Sequence, residues 1–462
     1  MYKSIFIFLV YLLFVQNIHG QNKQDKQLAK QLDQLISEKY KSIAPGCVVL
    51  VAKKGEIIYN KAFGSANIEL NVPMRQEMIF RLGSVTKQYT SVAILQLVEQ
   101  GKISLQDSIQ KYVQDYPYKG HTITIENLLT HTSGIEEYQA IKDTTPNGER
   151  KDYTPKQGVD FFKNEPLEFE SGTQFKYSNS NYFLLGYIIE LITGKSYREY
   201  LEQNIFKPAG LTNTYYNQQE KIIPGRVTGY TKLDSSLENA DYLSMTTAYA
   251  AGALIANTED LFKWHEALYN GKLIEKKLLD KAVTPFTLKN GNPTGYGYGW
   301  YLNEISGSKT IEHAGAIDGF RSDEIYLPAE DIFVAALFNC LEYKNNWMEL
   351  SNDIATLSMG KPLQTGMKLS DAVLKKYVGT YKFMDDPKIN VSLKIYEKDG
   401  KLFCDLSNGT GANMVMVPQS ETKFILPDVR RITTTIEFII TDEKVTKAVW
   451  TQESKNEFVK VE

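Results

Sequence analysis

The spacing of apolar residues changes along the chain and divides it into regions. Short runs typical of strands occur near the start and return much later, at Cys47–Ala52, Glu56–Phe63, Thr310–Glu312, Ser322–Leu327 and Ile332–Asn339. Between them the apolar residues follow the helical period, for example at Ile125–Leu129, Asn181–Ile192, Tyr197–Ile205 and Thr258–Tyr269. This pattern predicts a sheet built from both ends of one domain, with a helical region inserted in the middle.

The last part of the chain carries the strand pattern alone. After Gly360–Ser370, alternating runs are separated by polar turns, at Val391–Tyr396, Leu402–Leu406, Asn413–Val417, Thr433–Ile440 and Val445–Thr451. We expect an all-β barrel or sandwich domain over residues 363–462. No cluster of reactive side chains is visible there, so a role in covering or bracing the preceding domain is favoured over a separate ligand site.

The first segment, Met1–Gly20, has the features of a secretory signal peptide. Lys3 precedes the apolar stretch Ile5–Val15, and polar residues follow up to Gly20. The apolar stretch is too short for a comfortable membrane span, so we expect cleavage near Gly20 and export to the periplasm or the extracellular space. No stable membrane anchor is then expected, the alternative being an uncleaved N-terminal anchor. The first folded domain is expected at residues 21–362.

Charge and cysteine content exclude several classes of function. The formal net charge is −3 and no run of basic residues occurs, so binding to nucleic acid or to an anionic membrane surface is not expected. Three cysteines are too few for a disulfide framework. No Cys/His cluster has metal-ligand spacing, so neither a metal nor another cofactor is expected. The sequence makes no prediction of the oligomeric state.

The stretch Phe80–Gln100 is the strongest candidate for chemistry. From Val85 onward its apolar residues have helical spacing, which predicts a buried helix that begins beside Ser84. Lys87 lies one turn later on the same face, which pairs a nucleophile with a candidate base. A capping serine followed by a solvated lysine is the alternative. The same Ser-x-x-Lys spacing recurs, without a long apolar helix, at Ser108, Ser306, Ser358 and Ser420.

Two further polar stretches are candidates for a substrate site. Tyr177-Ser-Asn179 directly precedes the apolar helix, and a loop at that place can hold side chains rigidly in a cleft. His313-Ala-Gly315 lies on a strand, where small residues let a ligand approach the backbone. A packing tyrosine and a structural histidine are the respective alternatives. A small molecule or a peptide is the partner that such a site would bind.

Taken in order, Ser84-Val-Thr-Lys87, Tyr177-Ser-Asn179 and His313-Ala-Gly315 resemble the three motifs of the serine β-lactamase and penicillin-binding protein superfamily. The branch they resemble contains class C β-lactamases, DD-peptidases, D-aminopeptidases and related esterases. Other stretches similar to this branch are Ile125–Gly134, Gly252–Leu261 and Tyr296–Trp300. The resemblance implies an α+β fold, in which an antiparallel sheet flanked by helices and an inserted all-helical lobe enclose the active site.

The resemblance also implies a role for each motif residue. Ser84 would attack the acyl carbon and become acylated, while Lys87, as a neutral amine, would accept its proton. Tyr177 would relay that proton to the leaving group and later help to activate water. The backbone N–H groups of Ser84 and Ala316 would form the oxyanion hole. Substrate-binding positions are implied at Asn179, His313 and Gly315.

One departure from the family pattern affects the expected substrate. The third motif of β-lactamases in this branch usually begins with lysine, a permanent cation, whereas here it begins with His313. We therefore rank hydrolysis of peptide bonds, including those of D-amino acids, or of ester bonds above hydrolysis of β-lactam rings. The polar loop Glu136–Lys156 is hypothesised to border the cleft and to influence substrate preference.

Other classes of function remain as alternatives. A Ser-His-Asp hydrolase is disfavoured because no Gly-x-Ser-x-Gly motif occurs. A non-catalytic module that binds penicillin or a wall peptide would keep the motifs but lack turnover. A structural or adhesive role of the β domain would make the Ser84 constellation a relic.

Overall fold

The computed structural model describes residues 24–40, 43–141, 150–233, 236–342, 347–363, 369–383, 391–407, 414–426, 434–451 and 455–461. Contacts divide the chain into two compact units, one ending at Lys361 and one beginning at Pro362. The expected signal peptide at residues 1–20 lies outside the described residues.

The first unit is organised around a six-stranded sheet. In chain order its strands are β1 (Cys47–Lys53), β2 (Glu56–Phe63), β3 (Ser65–Asn67), β4 (Val72–Pro73), β5 (Phe80–Arg81), β6 (Tyr215–Tyr216), β7 (Tyr230–Lys232), β8 (Leu237–Asn239), β9 (Leu254–Ala256), β10 (Tyr301–Ile305), β11 (Ser308–Ile317), β12 (Phe320–Leu327), β13 (Ile332–Phe338) and β14 (Cys340–Glu342). The main sheet has the order β10-β11-β12-β13-β1-β2, and every pair in it is antiparallel. The prediction of a sheet built from both ends of the domain is therefore confirmed.

The sequence did not predict every strand. β10 has only one buried residue, Ile305, so it lacks an apolar pattern. β11 extends well past the predicted end at Glu312, because pairing with β12 holds its small residues in the extended form. The remaining strands form the small sheets β14-β7-β8, β5-β9-β6 and β3-β4. Most of these are only two or three residues long, too short to show alternation.

Helices cover the sheet and form the inserted region. They are α1 (24–39), α2 (Thr86–Glu99), α3 (Ile125–Leu129), α4 (Pro155–Asp160), α5 (Asn179–Thr193), α6 (Tyr197–Leu201), α7 (Lys207–Ala209), α8 (Met245–Gly252), α9 (Thr258–Tyr269), α10 (Lys276–Ala282) and α11 (Trp347–Ser358). Short irregular turns are a 3₁₀ turn at Gly83–Val85, another at Ile109–Lys111, and a π turn at Glu202–Phe206. In the described part of the chain, no helix combines the length and apolar character that a membrane span requires.

The alternation along β1 divides the interior into two cores. Val48 and Leu50 pack into the core shared with the helical region, whereas Val49 and Val51 pack on the opposite face. That second core is completed by α11 and by one stripe of α1, whose buried residues are four positions apart at Leu28, Leu32 and Ile36. The period of two in a strand and of about four in a helix thus produces two helical layers around one sheet.

Helix α2 is the central helix of the first core. Every residue from Thr86 to Leu97 is buried, including its polar ones. Tyr89 stacks on Trp264 of α9 at 4.0 Å between ring centroids, and the Trp264 indole N–H donates to Gln88 Oε1 at 3.1 Å. Because α2 is enclosed on all sides, its N-terminal turn is held rigidly at the edge of β11 and α8.

The second unit is a closed barrel preceded by helix α12 (Asp371–Tyr377). Its strands are β15 (Gly379–Phe383), β16 (Ser392–Lys398), β17 (Lys401–Leu406), β18 (Met414–Pro418), β19 (Lys423–Leu426), β20 (Thr434–Thr441), β21 (Lys444–Thr451) and β22 (Lys455–Lys460). Tyr377 packs against Phe438 at 4.3 Å and belongs to the barrel core. The all-β prediction is confirmed as a barrel. The predicted strand ends Asn413 and Thr433 lie outside the described residues.

Replacing Gly315 with alanine is expected to destabilise the protein. The added methyl group would lie 2.0 Å from the Leu82 carbonyl oxygen and 2.3 Å from Ser322 Oγ, so a backbone segment would have to move. Overpacking of this kind costs about 1–3 kcal/mol. Thermal denaturation followed by circular dichroism should show a melting temperature several degrees lower than that of the wild type.

Gly252→Ala provides a matched control for this prediction. Its added methyl group would meet Ala248 Cβ at 3.5 Å, an ordinary van der Waals contact. The control should therefore melt close to the wild type. Equal melting temperatures of the two variants would contradict the close backbone contact between β11 and the turn before α2.

Candidate active site

Ser84 lies in the 3₁₀ turn that leads into α2 and lines a cavity of about 240 Å³. Gly83, directly before it, has a φ of +52°, a left-handed conformation that favours glycine. N–H groups in the first turn of a helix have no acceptor within the helix. The serine hydroxyl and the backbone N–H of this turn are therefore available to a molecule in the cavity.

Lys87 is completely buried one turn after Ser84, and its amine makes three hydrogen bonds. Nζ lies 3.0 Å from Ser84 Oγ, 2.7 Å from Asn179 Oδ1 and 2.9 Å from the carbonyl oxygen of Ala251. The amine thus joins the start of α2, the start of α5 and the end of α8. Ser84 and Lys87 face each other at hydrogen-bonding distance, as their spacing on one helical face requires.

Burial lowers the pKa of Lys87 to about 7, because a charged amine loses its hydration inside the protein. The negative charge of Glu137 acts in the opposite direction but is the smaller effect. Near pH 7 a substantial fraction of the amine is therefore neutral. A neutral amine beside a serine hydroxyl can accept its proton.

The carbonyl group that Ala251 offers to Lys87 comes from a strained segment of α8. Tyr249 has a φ of 39° and a ψ of −131°, which is rare for a residue other than glycine. After this kink the Ala250 carbonyl accepts from Thr90 Oγ1 at 2.7 Å, and the next carbonyl accepts from Lys87. The strain directs two carbonyl groups out of α8 and onto α2.

Tyr177 lies in the loop before α5, and its hydroxyl interacts with the Ser84 side chain. Its ring lies 4.8 Å from Lys87 Nζ and 4.3 Å from the ring of His131. Burial raises the pKa of Tyr177 well above its ordinary value, so the hydroxyl stays protonated near neutral pH. A raised pKa makes the phenol a weak acid, so it can pass on its proton only while it receives another, as a relay beside Lys87 would.

The register of β11 shows where the Ala316 N–H points. Ile305 and Ser308 flank the two-residue turn between β10 and β11, so they form a hydrogen-bonded pair. From there along the strand, hydrogen-bonded pairs alternate with pairs that are not hydrogen-bonded. Even-numbered residues of β11 therefore direct their N–H groups toward the side of β10. The last pair with β10 is Tyr301 with Glu312. Ala316 therefore lies beyond Tyr301, the first residue of β10, and its N–H faces an open edge of the sheet.

Ala316 is also close to the nucleophile turn. A methyl group on Gly83 would lie 3.0 Å from the Ala316 nitrogen, and Ser322 Oγ donates to the Leu82 carbonyl oxygen at 2.6 Å. β11 and β12 are thereby joined to the residues just before Ser84. Both Ser84 and Ala316 line the cavity, which is the arrangement that two oxyanion-hole donors require.

Asn179 connects Lys87 to Glu137, a loop residue that the sequence did not identify. Its Oδ1 accepts from Lys87, its Nδ2 donates to Gln139 Oε1 at 3.2 Å, and its backbone N–H donates to Glu137 Oε2. Burial raises the pKa of Glu137. Tyr138 and Gln139 line the cavity, so the start of the loop hypothesised to border the cleft does so. Residues 142–149 of that loop lie outside the described residues.

His313 is only 1% exposed and does not contribute to the cavity wall. Its Nδ1 lies 2.7 Å from the Ala314 carbonyl oxygen and its Nε2 lies 3.1 Å from the Tyr296 hydroxyl. Since a carbonyl oxygen only accepts, we infer that Nδ1 carries the proton and that Nε2 accepts from Tyr296. The imidazole lies 6.2 Å, between ring centroids, from Tyr177. This geometry supports a role in positioning Tyr177, and the substrate-binding role of His313 stays a prediction.

His131 is a second buried histidine at the site that sequence reasoning did not single out. Its Nδ1 accepts from the Ser178 backbone N–H at 3.2 Å, and burial lowers its pKa well below the ordinary value. The neutral ring therefore packs beside Tyr177 and anchors the loop that carries it. His131 lies in the stretch Ile125–Gly134, which resembles the family, and Tyr296 begins another such stretch. The resemblance could therefore have identified both residues. Among the described residues, no group of His, Cys, Asp or Glu is arranged to hold a metal ion.

Comparison with known protein sequences gives a consistent family. The family model described as Beta-lactamase matches residues 32–348. Penicillin-binding protein 4* of Bacillus subtilis (strain 168) is 28% identical over 427 residues, covering 86% of this chain and 90% of that protein. The putative penicillin-binding protein PbpX of the same strain is 34% identical over 304 residues, covering 65% of this chain and 72% of the relative.

Solved structures with the same fold include two proteins of different description. The octameric penicillin-binding protein homologue from Pyrococcus abyssi is 24% identical, with a TM-score of 0.65 and coverage of 94% of this chain and 99% of that one. D-amino acid amidase from Ochrobactrum anthropi SV3 is 22% identical, with a TM-score of 0.63 and coverage of 73% and 99%. At these identities the likeness concerns the fold alone. It confirms the predicted α+β fold class.

Replacing Glu137 with glutamine is expected to move the pH dependence of acylation to lower pH. In the wild type, kcat/KM for an activated ester such as 4-nitrophenyl acetate should rise as Lys87 loses its proton, at a pH near 7. The Glu137 carboxylate favours the ammonium form of that lysine. Without the carboxylate the pKa of Lys87 falls, so the neutral base persists at lower pH and the acid limb moves down.

Glu136→Gln is the matched control for this experiment. Glu136 is the adjacent carboxylate, and its charge acts on Lys119. The control should keep the acid limb of the wild type. An acid limb that stays in place in Glu137→Gln, or that moves equally in both variants, would contradict the electrostatic link between Glu137 and Lys87.

Proposed function

Because the chain belongs to the beta-lactamase family, we propose that it is a serine acyl hydrolase that cleaves peptide or ester bonds through an acyl group on Ser84. The observation that carries the proposal is the contact of 3.0 Å between Lys87 Nζ and Ser84 Oγ. The amine is buried and its pKa is about 7, so it can act as a base under physiological conditions.

Acylation follows from the positions of these groups. As Ser84 Oγ forms a bond with the acyl carbon, its proton moves to the neutral amine of Lys87. The developing negative charge on the carbonyl oxygen is stabilised by the N–H groups of Ser84 and Ala316, each worth on the order of a hundredfold in rate. Tyr177 donates its proton to the leaving nitrogen or oxygen as that bond breaks, and regains a proton from the Lys87 ammonium.

Deacylation uses the same groups in the opposite sense. Water replaces the leaving group, attacks the acyl carbon and gives up a proton to the base formed by Lys87 and Tyr177. The tetrahedral intermediate is held in the same oxyanion hole. It collapses to the free acid as the bond to Ser84 Oγ breaks and the proton passes from that base to Ser84 Oγ. This return of the proton to Ser84 completes the cycle without a metal or another cofactor.

The preferred substrates are peptides, including those that contain D-amino acids, or esters. The third motif begins with a histidine that is buried and hydrogen-bonded to Tyr296, so it offers no exposed cation to the carboxylate of a β-lactam. The similarity to penicillin-binding protein 4* supports the expectation that penicillin can acylate Ser84. Efficient β-lactam hydrolysis is therefore the second candidate, and a non-catalytic binding module is the third.

The proposed site of action is outside the cytoplasm. The apolar segment Ile5–Val15 with its polar exit supports export through a cleaved signal peptide. Relatives described as penicillin-binding proteins are consistent with such a place of action. A small molecule or peptide is the proposed partner, and nucleic acid and a stable membrane anchor are not.

Ser84→Ala is expected to abolish covalent acylation. Wild-type protein and the variant are mixed separately with a penicillin and with 4-nitrophenyl acetate, and intact masses are recorded over time. The wild type should gain the mass of an acyl group, transiently with the ester, whereas the variant should gain none because alanine has no nucleophile.

The two reagents also distinguish the candidate functions. A transient ester adduct with a lasting penicillin adduct supports the peptidase or esterase assignment, and rapid turnover of penicillin supports the β-lactamase assignment. A lasting adduct with both reagents supports the binding module. Equal labelling of the wild type and Ser84→Ala, with both proteins folded, would contradict the proposed nucleophile.

A further inference from the structure

The two directions along β11 from Ala316 differ in the part of the substrate that they face. The leaving group must lie near Tyr177, which supplies its proton. Tyr177 stacks on Tyr301 with 6.4 Å between the ring centroids. Tyr301 pairs with Glu312, which precedes Ala316 on β11. Asp318 and Arg321 line the cavity in the other direction, past Ala316 at the turn between β11 and β12. The acyl part of the substrate therefore extends toward Asp318.

Asp318 is a half-buried carboxylate at that end of the cavity. Within the described residues no hydrogen bond or ion pair engages its side chain, although Arg81 lies close enough to act on its charge. Burial and, to a smaller extent, the charge of Asp241 raise the pKa of Asp318, and together they exceed the opposing effects of Arg81 and Arg321. Because no side chain within the described residues pairs directly with this carboxylate, a cation in the cavity would stabilise its charge.

No hydrogen bond or ion pair joins the neighbouring arginines to Asp318 within the described residues, although the charges of Arg81 and Arg321 act on it. Arg81 does not line the cavity, and its guanidinium lies over the Phe320 ring at 5.6 Å. Arg226 donates to Asn217 Oδ1 and to the Gln218 carbonyl oxygen. Arg321 lines the cavity but has a further interaction within the protein. Asp318 is the carboxylate of the cavity wall, and Arg321 is the other charged side chain there.

We propose that Asp318 selects acyl groups that carry a positive charge, namely aminoacyl or short peptidyl groups with a free ammonium group near the scissile carbonyl. This proposal rests on the function proposed above and names its substrate class. The ammonium group would donate a charge-assisted hydrogen bond to the carboxylate, which is stronger than a bond between neutral groups. The other wall residues at this end are mainly apolar, for example Leu243, Ile317 and Leu341.

Three substrates with the same leaving group, which differ in the charge and the size of the acyl part, test the proposal together with the variants described next. They are the 4-nitroanilides of D-alanine, N-acetyl-D-alanine and N-succinyl-D-alanine, which carry an ammonium group, no charge and a carboxylate at pH 7. The wild type should have a kcat/KM about tenfold or more higher for the free amine than for the acetylated substrate, as expected for one charge-assisted bond. Any substrate that is not cleaved is compared instead as an inhibitor of 4-nitrophenyl acetate hydrolysis.

Asp318→Asn should lose this preference by reducing kcat/KM for the free amine about tenfold, a much larger loss than that for the acetylated substrate. Asp318→Glu should restore part of the preference because the carboxylate is retained. Glu238→Gln is the control, since that carboxylate is exposed on β8 and does not line the cavity. The control should keep the preference of the wild type.

The outcomes separate this proposal from the function on which it rests. Ser84-dependent hydrolysis of 4-nitrophenyl acetate, together with equal use of all three substrates or a preference for the succinyl group, would overturn the role of Asp318 alone. An equal loss on all substrates in Asp318→Asn would likewise overturn it. The absence of any Ser84-dependent turnover or labelling would overturn the proposed function itself.

Discussion

Burial of the Lys87 amine is the constraint on which the rest of the candidate site depends. A charged amine is costly to remove from water, so the group is favoured in its neutral form and needs hydrogen-bond partners. Three separate segments supply them: the turn before α2, the first residue of α5 and the kinked end of α8. The wholly buried helix α2 fixes the lysine, and the strain at Tyr249 aims a carbonyl group at it. The same burial that fixes the amine also lowers its pKa into the range where it can act as a base.

The sheet makes a second contribution through its backbone. β10 ends opposite the middle of β11, which leaves the edge near Ala316 open, while Gly315 allows that strand to touch the turn before Ser84. Two N–H groups from distant parts of the chain can then face one cavity. The turn before α2 and strand β11 are far apart in the sequence. They therefore meet at the point where an oxyanion would form. The continuation of the same strand brings Asp318 to the acyl end of the cavity, so one strand links the proposed chemistry to the proposed selectivity.

The sequence predicted those features that leave a repeating or local pattern. Helix α2 has a long apolar period, and the strands β1, β2, β12 and β13 have strong apolar runs, so their existence could be predicted. A barrel and a sandwich show the same alternation of apolar and polar residues along each strand, so only the pairing between strands distinguishes them. The candidate residues Ser84, Lys87, Tyr177 and Asn179 were selected because they resemble ordered motifs, and the structure brings them together.

The remaining features depend on contacts between distant segments. Glu137 is one of several acidic residues in a polar loop, and nothing in its neighbourhood in the sequence marks it as the acceptor for the Asn179 N–H. The position of His313 behind Tyr177 follows from its bond with Tyr296, which no spacing rule predicts. Helix α12 is a single short segment with two buried residues, too brief for a period to be recognised.

The most direct test of this account is to measure the pKa of Lys87 itself. Protein labelled with ¹³C at the lysine ε carbons is titrated by NMR between about pH 5 and pH 11, and the Lys87→Met variant identifies the signal of this residue. The account predicts one lysine signal that titrates near pH 7 and is missing in the variant. A Lys87 signal that titrates with the exposed lysines, near pH 10.4, would contradict a neutral buried base at the centre of the site.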